Sequence, residues 1–219
     1  MVTGAGTGLG LAISRRFARL HEHRGPACGF GGDNALGSTP QPNSPVAGDW
    51  DDLHPVPGDG TDWPEFFLER RLRFQVRLAE RNGHGNALAH LLDRAEPVIL
   101  GLVEAAPESP SLLHGDLWNG NFMTDDVGQP CLIDPAVYYG HREADLAMTR
   151  LFGGFAPAFY AAYAEALPLA PGHADRLPLY QLYQPPEPVR WKLLRAKRAH
   201  PAPLCALNES DERNEEQTE

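Results

Sequence analysis

The segment from Leu112 to Asp145 constrains the fold more than any other stretch of this 219-residue chain. It consists of short apolar pieces joined by polar ones: Leu112-Leu113, then Phe122-Met123, then Cys131-Leu132-Ile133, with Asp125-Asp126-Val127-Gly128 between the last two. Two apolar pieces separated by an Asp- and Gly-bearing turn predict a β-hairpin. A hairpin brings its open ends together, so Asn121 and Asp134, which flank the two pieces, are predicted to be neighbours. Just upstream, residues 114–121 set a histidine, a carboxylate and an amide at the spacing His-x-Asp-x-x-x-x-Asn.

This order of groups suits phosphoryl transfer from ATP. That reaction asks the protein for an oriented hydroxyl, bound Mg²⁺ on the phosphate oxygens and correct positioning, and for little covalent help. Asp116 is the candidate base that accepts the substrate hydroxyl proton, and Asn121 and Asp134 are candidate metal ligands. Two oxygen ligands converging at the hairpin ends suit a hard cation such as Mg²⁺. His114 is expected to be structural, hydrogen-bonding and bracing the loop. Asp145 is placed to cap the helix that follows, which is also a structural role. Each residue alone reads as a turn residue or a surface acid; the ordered set carries the chemistry.

Helical spacing marks the rest of the chain. Leu9, Ile13, Phe17 and Leu20 predict a helix over 9–21. Residues 25–62 are rich in Gly, Pro, Asn and Asp and read as a long loop. Asp62 then stands as a helix cap with Pro64 in the first turn and Glu65 as its capping-box partner. Further helices are expected towards Arg81, over 86–105, 145–151 and 157–167, and from about Asp175 to Tyr183. The predicted class is α+β and predominantly helical. Residues 184–219 open on Gln184-Pro185-Pro186-Glu187-Pro188, carry a basic run and then an acidic one, and are expected to form a largely disordered tail.

Composition narrows the partners. The formal charge is −10, and residues 184–219 hold 6 Lys+Arg against 7 Asp+Glu, so nearly all of the excess lies ahead of residue 184. So acidic a body is poorly suited to nucleic acid or anionic membrane, which leaves a small substrate as the expectation. The apolar run Val98–Val103 is too short to cross a bilayer, and no secretory signal is visible. Cys28, Cys131 and Cys205 lie far apart without zinc-like or paired spacing, which favours a reducing, cytoplasmic setting.

The stretches Leu112–Trp118 and Leu132–Met148 together resemble the fructosamine kinase (ketosamine 3-kinase) family, a branch of the aminoglycoside-phosphotransferase-like, protein-kinase-like enzymes. Asp33–Asn43, Trp63-Pro64-Glu65-Phe66-Phe67 and Tyr180-Gln181-Leu182-Tyr183 are similar as well, so that the likeness covers about residues 11–183. It implies the C-terminal lobe of a kinase-like phosphotransferase, with one small hairpin carrying the metal ligands. It further implies ATP- and Mg²⁺-dependent phosphorylation of the 3-hydroxyl of ketosamines, free or bound to protein. By the same resemblance Asp116 is the base and Asn121 and Asp134 hold the metal. Trp118 packs on the sugar or in the core. His141, Arg142 and Glu143 line the substrate or form loop salt bridges, and residues 33–43 contact substrate or serve as a connector.

Two departures qualify the expectation for this chain. Its only lysines are Lys192 and Lys197, so none precedes Asp116 to pair with ATP phosphates. The similarity also ends after Tyr183. The expected organisation is a glycine-rich segment at 1–10, a kinase-like C-lobe at 11–183 and a tail at 184–219. The N-lobe and the C-terminal end of the family are expected to be missing, as in a gene fragment with a shifted reading frame. Such a chain would be weakly active, inactive, or a silent fragment acting as a binding partner.

A rival reading starts from Thr3-Gly4-Ala5-Gly6-Thr7-Gly8-Leu9-Gly10, which resembles the cofactor loop of NAD(P)-dependent short-chain dehydrogenases. That loop must follow a buried strand, and only Met1 and Val2 precede it here. No tyrosine is followed by a lysine four residues later, as those enzymes require, and the alternating strand–helix pattern of a parallel sheet is not seen.

Overall fold

In the computed structural model, which describes residues 7–37, 39–44, 62–81 and 87–183, helices make up most of the regular structure and strands occur in pairs. Helix α1 (Thr7–Glu22) turns Ile13, Phe17 and His21 inward at four-residue steps, one face of a 3.6-residue period. That face packs on α6 (Pro157–Ala166), where Ser14 Oγ donates to the Phe159 carbonyl at 2.9 Å.

The Asp62 cap is present: its backbone is extended (φ −91°, ψ 158°) and its carboxylate accepts the Glu65 N–H at 3.1 Å, satisfying one orphan donor of the first turn. The helix it starts runs as α2 (Trp63–Phe67), a wide π-helical stretch (Leu68–Arg73) and α3 (Phe74–Arg81). Within the widened turns Arg70, Arg71 and Leu72 are all buried. Helix α4 (Ala87–Glu104) lies beside it, tied by Arg73 to Asp93 and Glu96.

The predicted hairpin forms from β4 (Phe122–Thr124) and β5 (Pro130–Leu132), with Phe122 opposite Leu132. Its turn is held by Asp125, whose Oδ1 accepts from Val127 N and Gln129 N, and by Gly128 at φ +80°. Two further pairs lie outside the expectation. β1 (Asn34–Leu36) and β2 (Thr39–Gln41) pair within the segment read as a loop. β3 (Ser111–Leu113) pairs with β6 (Tyr138–Gly140) across the whole hairpin. After β6 come α5 (Glu143–Leu151), α6 and α7 (His173–Gln181), close to the predicted bounds.

Two apolar clusters support this arrangement. One joins Trp63, Phe66 and Phe67 to Leu113, Tyr138 and the α7 residues Leu179 and Tyr180. The other joins Ile13 and Phe17 of α1 to Leu117, Leu146, Phe159 and Tyr163. β3, β6 and the loop after β3 run between the two. All three strand pairs are antiparallel, and Gly8 and Gly10 lie inside α1. The dinucleotide reading of the N-terminus therefore fails among the described residues, which hold no parallel sheet. Its Thr3–Gly6 portion lies outside them, as does the predicted tail at 184–219. No described helix is long and apolar enough to cross a membrane.

Candidate active site

The loop leaving β3 is built around Gly115. Its φ of +77° is open to glycine, and a Cβ there would stand 2.1 Å from the Ala136 carbonyl oxygen. Leu117, fully buried in the second cluster, pins the next turn of the loop with about 1.5–3 kcal/mol of apolar burial. Between these anchors Asp116 is held nearly buried, at 7% exposure. Asn121 closes the loop. Its N–H donates to Trp118 O at 2.9 Å, and its side-chain Nδ2 donates to Asp116 O at 2.7 Å. The hairpin then returns the chain, so that Ile133 N donates to Asn121 O at 3.0 Å and Asp134 follows at φ +57°. Asp116, Asn121 and Asp134 thus share one end of the hairpin, the juxtaposition predicted for Asn121 and Asp134.

Two buried side chains brace this loop from below. His114 Nδ1 accepts the Asp116 N–H at 3.3 Å, which leaves its Nε2–H to donate to Ile133 O at 3.1 Å. Burial lowers its pKa and keeps the ring neutral, as this pair of bonds requires. The structural role expected of His114 is therefore a strut between the loop and the end of β5. Asp145 differs from its expected role as a cap. The N-cap of α5 is Arg142, and Asp145 lies inside the first turn. Its carboxylate instead accepts the backbone N–H of His114 at 2.7 Å and of Gly115 at 2.8 Å, with His21 Nε2 at 3.1 Å. His21, whose pKa burial also lowers, passes the chain on to the Tyr163 hydroxyl at 2.6 Å. Sequence reading did not single out His21; its one signal is a histidine on the inward stripe of α1.

Chemically, the set suits a hard cation. The amide nitrogen of Asn121 is committed to Asp116 O, so its carbonyl oxygen is the atom left for a metal, and the exposed Asp134 follows directly on Ile133, whose N–H bonds Asn121 O. Among the described residues no three His, Cys, Asp or Glu side chains converge as a metal cage. One amide and one carboxylate match instead a Mg²⁺ that keeps waters and phosphate oxygens as its remaining ligands.

The other expected site residues separate. Trp118 is half-buried beside Asp116, edge-on to Phe152 and against Gly120. His141, Arg142 and Glu143 are all buried, at 2%, 3% and 1% exposure, and bond to the chain's own groups, Glu143 also lining a cavity with Leu146, Tyr160 and Leu177. His141 Nε2 reaches Ala106 O at 2.9 Å. Arg142 pairs with Glu108 at 2.7 Å and donates to Leu167 O at the same distance. Glu143 meets Arg176 in a two-pronged pair at 2.7 Å. Burying charges in a row is costly unless each finds a partner, and the partners come from distant segments. Residues 33–43 act as more than a connector: Asn34 and Gln41 donate to the carbonyls of Val137 and Ala136, just past Asp134. Tyr183 lies near enough to Asp116 to feel its charge. Burial, with Asp116 adding to it against the opposing Arg71, pushes that phenol up to about 12.

The chain is similar to known proteins. The model of the family described as Fructosamine kinase matches residues 4–185. A protein of Enterococcus faecium named "Probable ketoamine kinase" is 42% identical over 172 residues, which cover 78% of this chain and 57% of that protein. A chloroplastic protein-ribulosamine 3-kinase of Oryza sativa subsp. indica is 37% identical over 182 residues, 82% of this chain and 49% of its own. A crystal structure from Thermobifida fusca YX-ER1, described as a candidate fructosamine-3-kinase, is 31% identical with a TM-score of 0.67 and shares 89% of this chain and 65% of that one. The chain thus spans roughly half to three-fifths of the length of these curated relatives.

Proposed function

This chain belongs to the fructosamine kinase family, and on that premise we propose that it takes part in ATP-dependent phosphorylation of a sugar hydroxyl on ketosamine adducts, free or protein-bound, in the cytoplasm. The observation that carries the reading is the closure of Asp116, Asn121 and Asp134 on one end of the hairpin.

Asp116 accepts the proton of the attacking hydroxyl. Its carboxylate is largely withdrawn from water, and two anchors hold its backbone: the His114 ring and the Asn121 amide. Both act before substrate arrives, which is where positioning catalysis gains its advantage. Asn121 and Asp134 would hold Mg²⁺, whose contribution when bound is to neutralise charge developing on the phosphate oxygens. Trp118, beside the base and half-exposed, offers an apolar face to the sugar ring.

A second reading is a catalytically silent chain that acts as a binding partner. Turnover of ATP on a ribulosamine substrate with Mg²⁺, compared between this chain and its Asp116→Asn variant, separates the two. The kinase reading expects a rate that Asp116→Asn removes. Equal background rates in both would leave the silent chain.

A further inference from the structure

Four buried polar side chains and the part-buried Asn34, none in the phosphotransfer set above, form one directed chain of hydrogen bonds that ends on the backbone just past Asp134. It starts at Arg71, fully buried among the rings of Phe66, Tyr138 and Tyr183 at 4.5, 4.2 and 5.2 Å. A guanidinium can only donate. Arg71 gives Nη1–H to Pro42 O at 2.8 Å and Nη2–H to Asn43 Oδ1 at 2.6 Å. The Asn43 oxygen is thereby the acceptor, so its Nδ2 donates onward to Asn34 Oδ1 at 2.9 Å. Gln41 approaches the same oxygen from the other side, at 2.7 Å, while its own Oε1 accepts the Tyr183 hydroxyl. The two remaining donor functions are then aimed without choice: Asn34 Nδ2 at Val137 O, 2.8 Å, and Gln41 Nε2 at Ala136 O, 3.1 Å.

Ala136 is the pivot. Its N–H donates to His114 O at 2.8 Å, and its carbonyl fills the space a side chain at Gly115 would need. The network therefore holds at once the backbone two residues past Asp134 and the turn that leads into Asp116. A core built only for stability would do as well with apolar side chains here, since replacing a buried polar set by well-packed apolar groups is often neutral or stabilising. Fixed amide directions contribute something apolar packing does not: a set orientation for the two carbonyls they grip.

We propose that Asn34, Gln41, Asn43 and Arg71 are positioning residues for the cation site, holding the Asp134–Val137 segment so that the Asp134 carboxylate and Asn121 meet one Mg²⁺. The proposal rests on the phosphotransfer reading of that site. Outer partners of metal ligands change metal affinity about ten- to a hundredfold when altered.

The test is Mn²⁺ binding, read by water-proton relaxation on the full chain without nucleotide, so that it does not depend on turnover. Unmodified protein should bind Mn²⁺, Asp134→Asn should not, and Gln41→Glu should bind about ten- to a hundredfold more weakly while still unfolding cooperatively. Gln41→Glu keeps the acceptor for Tyr183 and loses both donors; Gln41→Met, of similar length and uncharged, is the companion variant. Folded Gln41 variants with unchanged affinity overturn the positioning role and leave the phosphotransfer reading standing. Unmodified protein that ignores Mn²⁺, as Asp134→Asn does, overturns the metal site and this proposal with it. Should both Gln41 variants fail to fold, hydrogen exchange on the unmodified chain decides. Mn²⁺ should slow exchange at residues 34–43 as well as at 132–137, and protection confined to 132–137 overturns the proposal.

Discussion

Asp145 Oδ1 accepts the backbone N–H of Gly115 at 2.8 Å across 30 residues of chain, and Oδ2 accepts that of His114 at 2.7 Å. One buried carboxylate from α5 thus sets the turn on which the candidate base is mounted. Asp145→Ala would leave two buried N–H groups and the His21 Nε2 unpartnered, the Nδ1 side keeping Tyr163. The expected loss is about 3–5 kcal/mol, the range for removing one partner of a buried charged set. Asp145→Asn, which keeps one acceptor, should lose roughly half as much. Denaturant unfolding of both variants measures it, and a loss below about 1 kcal/mol for the alanine would show that the loop does not lean on this group.

The Glu143–Arg176 pair ties α5 to α7 with both side chains about as buried as any in the chain. Glu143→Gln should cost about 3–5 kcal/mol, because a guanidinium is left in the interior without its counter-charge. Pairing Glu143→Met with Arg176→Met should recover most of that loss. A double-mutant cycle reads the coupling. Additive single and double losses would mean that the two groups act independently.

These inward-facing charges also mark where the sequence stops being legible. The Asp62 cap and the Phe122–Leu132 hairpin are local: turn residues and short apolar runs specify them within a few positions. The helices announce themselves by period. By contrast β3 and β6 meet across 24 intervening residues, and nothing near Leu113 signals Tyr138 as its partner. His141-Arg142-Glu143 has the composition of an exposed loop, and its burial depends on Glu108 and Arg176 arriving from elsewhere. The same holds for Asn34, Gln41 and Asn43. Their amides look like turn chemistry until Arg71, turned inward by the wide helical stretch before α3, fixes which way each one points. Of the site itself, the order Asp116, Asn121, Asp134 was readable, and the braces behind it were not, apart from His114.

Gly115 offers a sharper probe of the loop than any side chain. At φ +77° an alanine carries about 1–3 kcal/mol of backbone strain, before its Cβ meets the Ala136 carbonyl at 2.1 Å. That neighbour is backbone held by His114 and Gln41, so it has little room to move. Gly115→Ala should therefore destabilise by more than the strain alone, over about 3 kcal/mol in denaturant. Gly128→Ala, at a similar φ with no neighbour near the added Cβ, should show the strain alone. Equal losses at the two positions would mean that the Ala136 contact yields without cost.

Acid should weaken the fold through its buried histidines. His21, His114 and His141 all have pKa values lowered chiefly by burial, against the opposing pull of Asp145 on the first two and of Glu143 and Glu108 on the third. Each is neutral in the folded chain near pH 7. On unfolding each returns to about 6.5, so below that pH the unfolded chain binds more protons than the folded one. Stability from these groups is complete above about pH 6.5 and declines as the pH falls towards their folded values, at up to about 1.4 kcal/mol per pH unit for each ring. Thermal midpoints taken from pH 7.5 down to 5.5 should be level above 6.5 and drop below it, with proton uptake on unfolding seen by calorimetry in buffers of different ionisation heat. A midpoint that stays level to pH 5.5 would mean that the rings can be protonated in place, and that the neutral His114 strut between Asp116 and Ile133 is wrongly drawn.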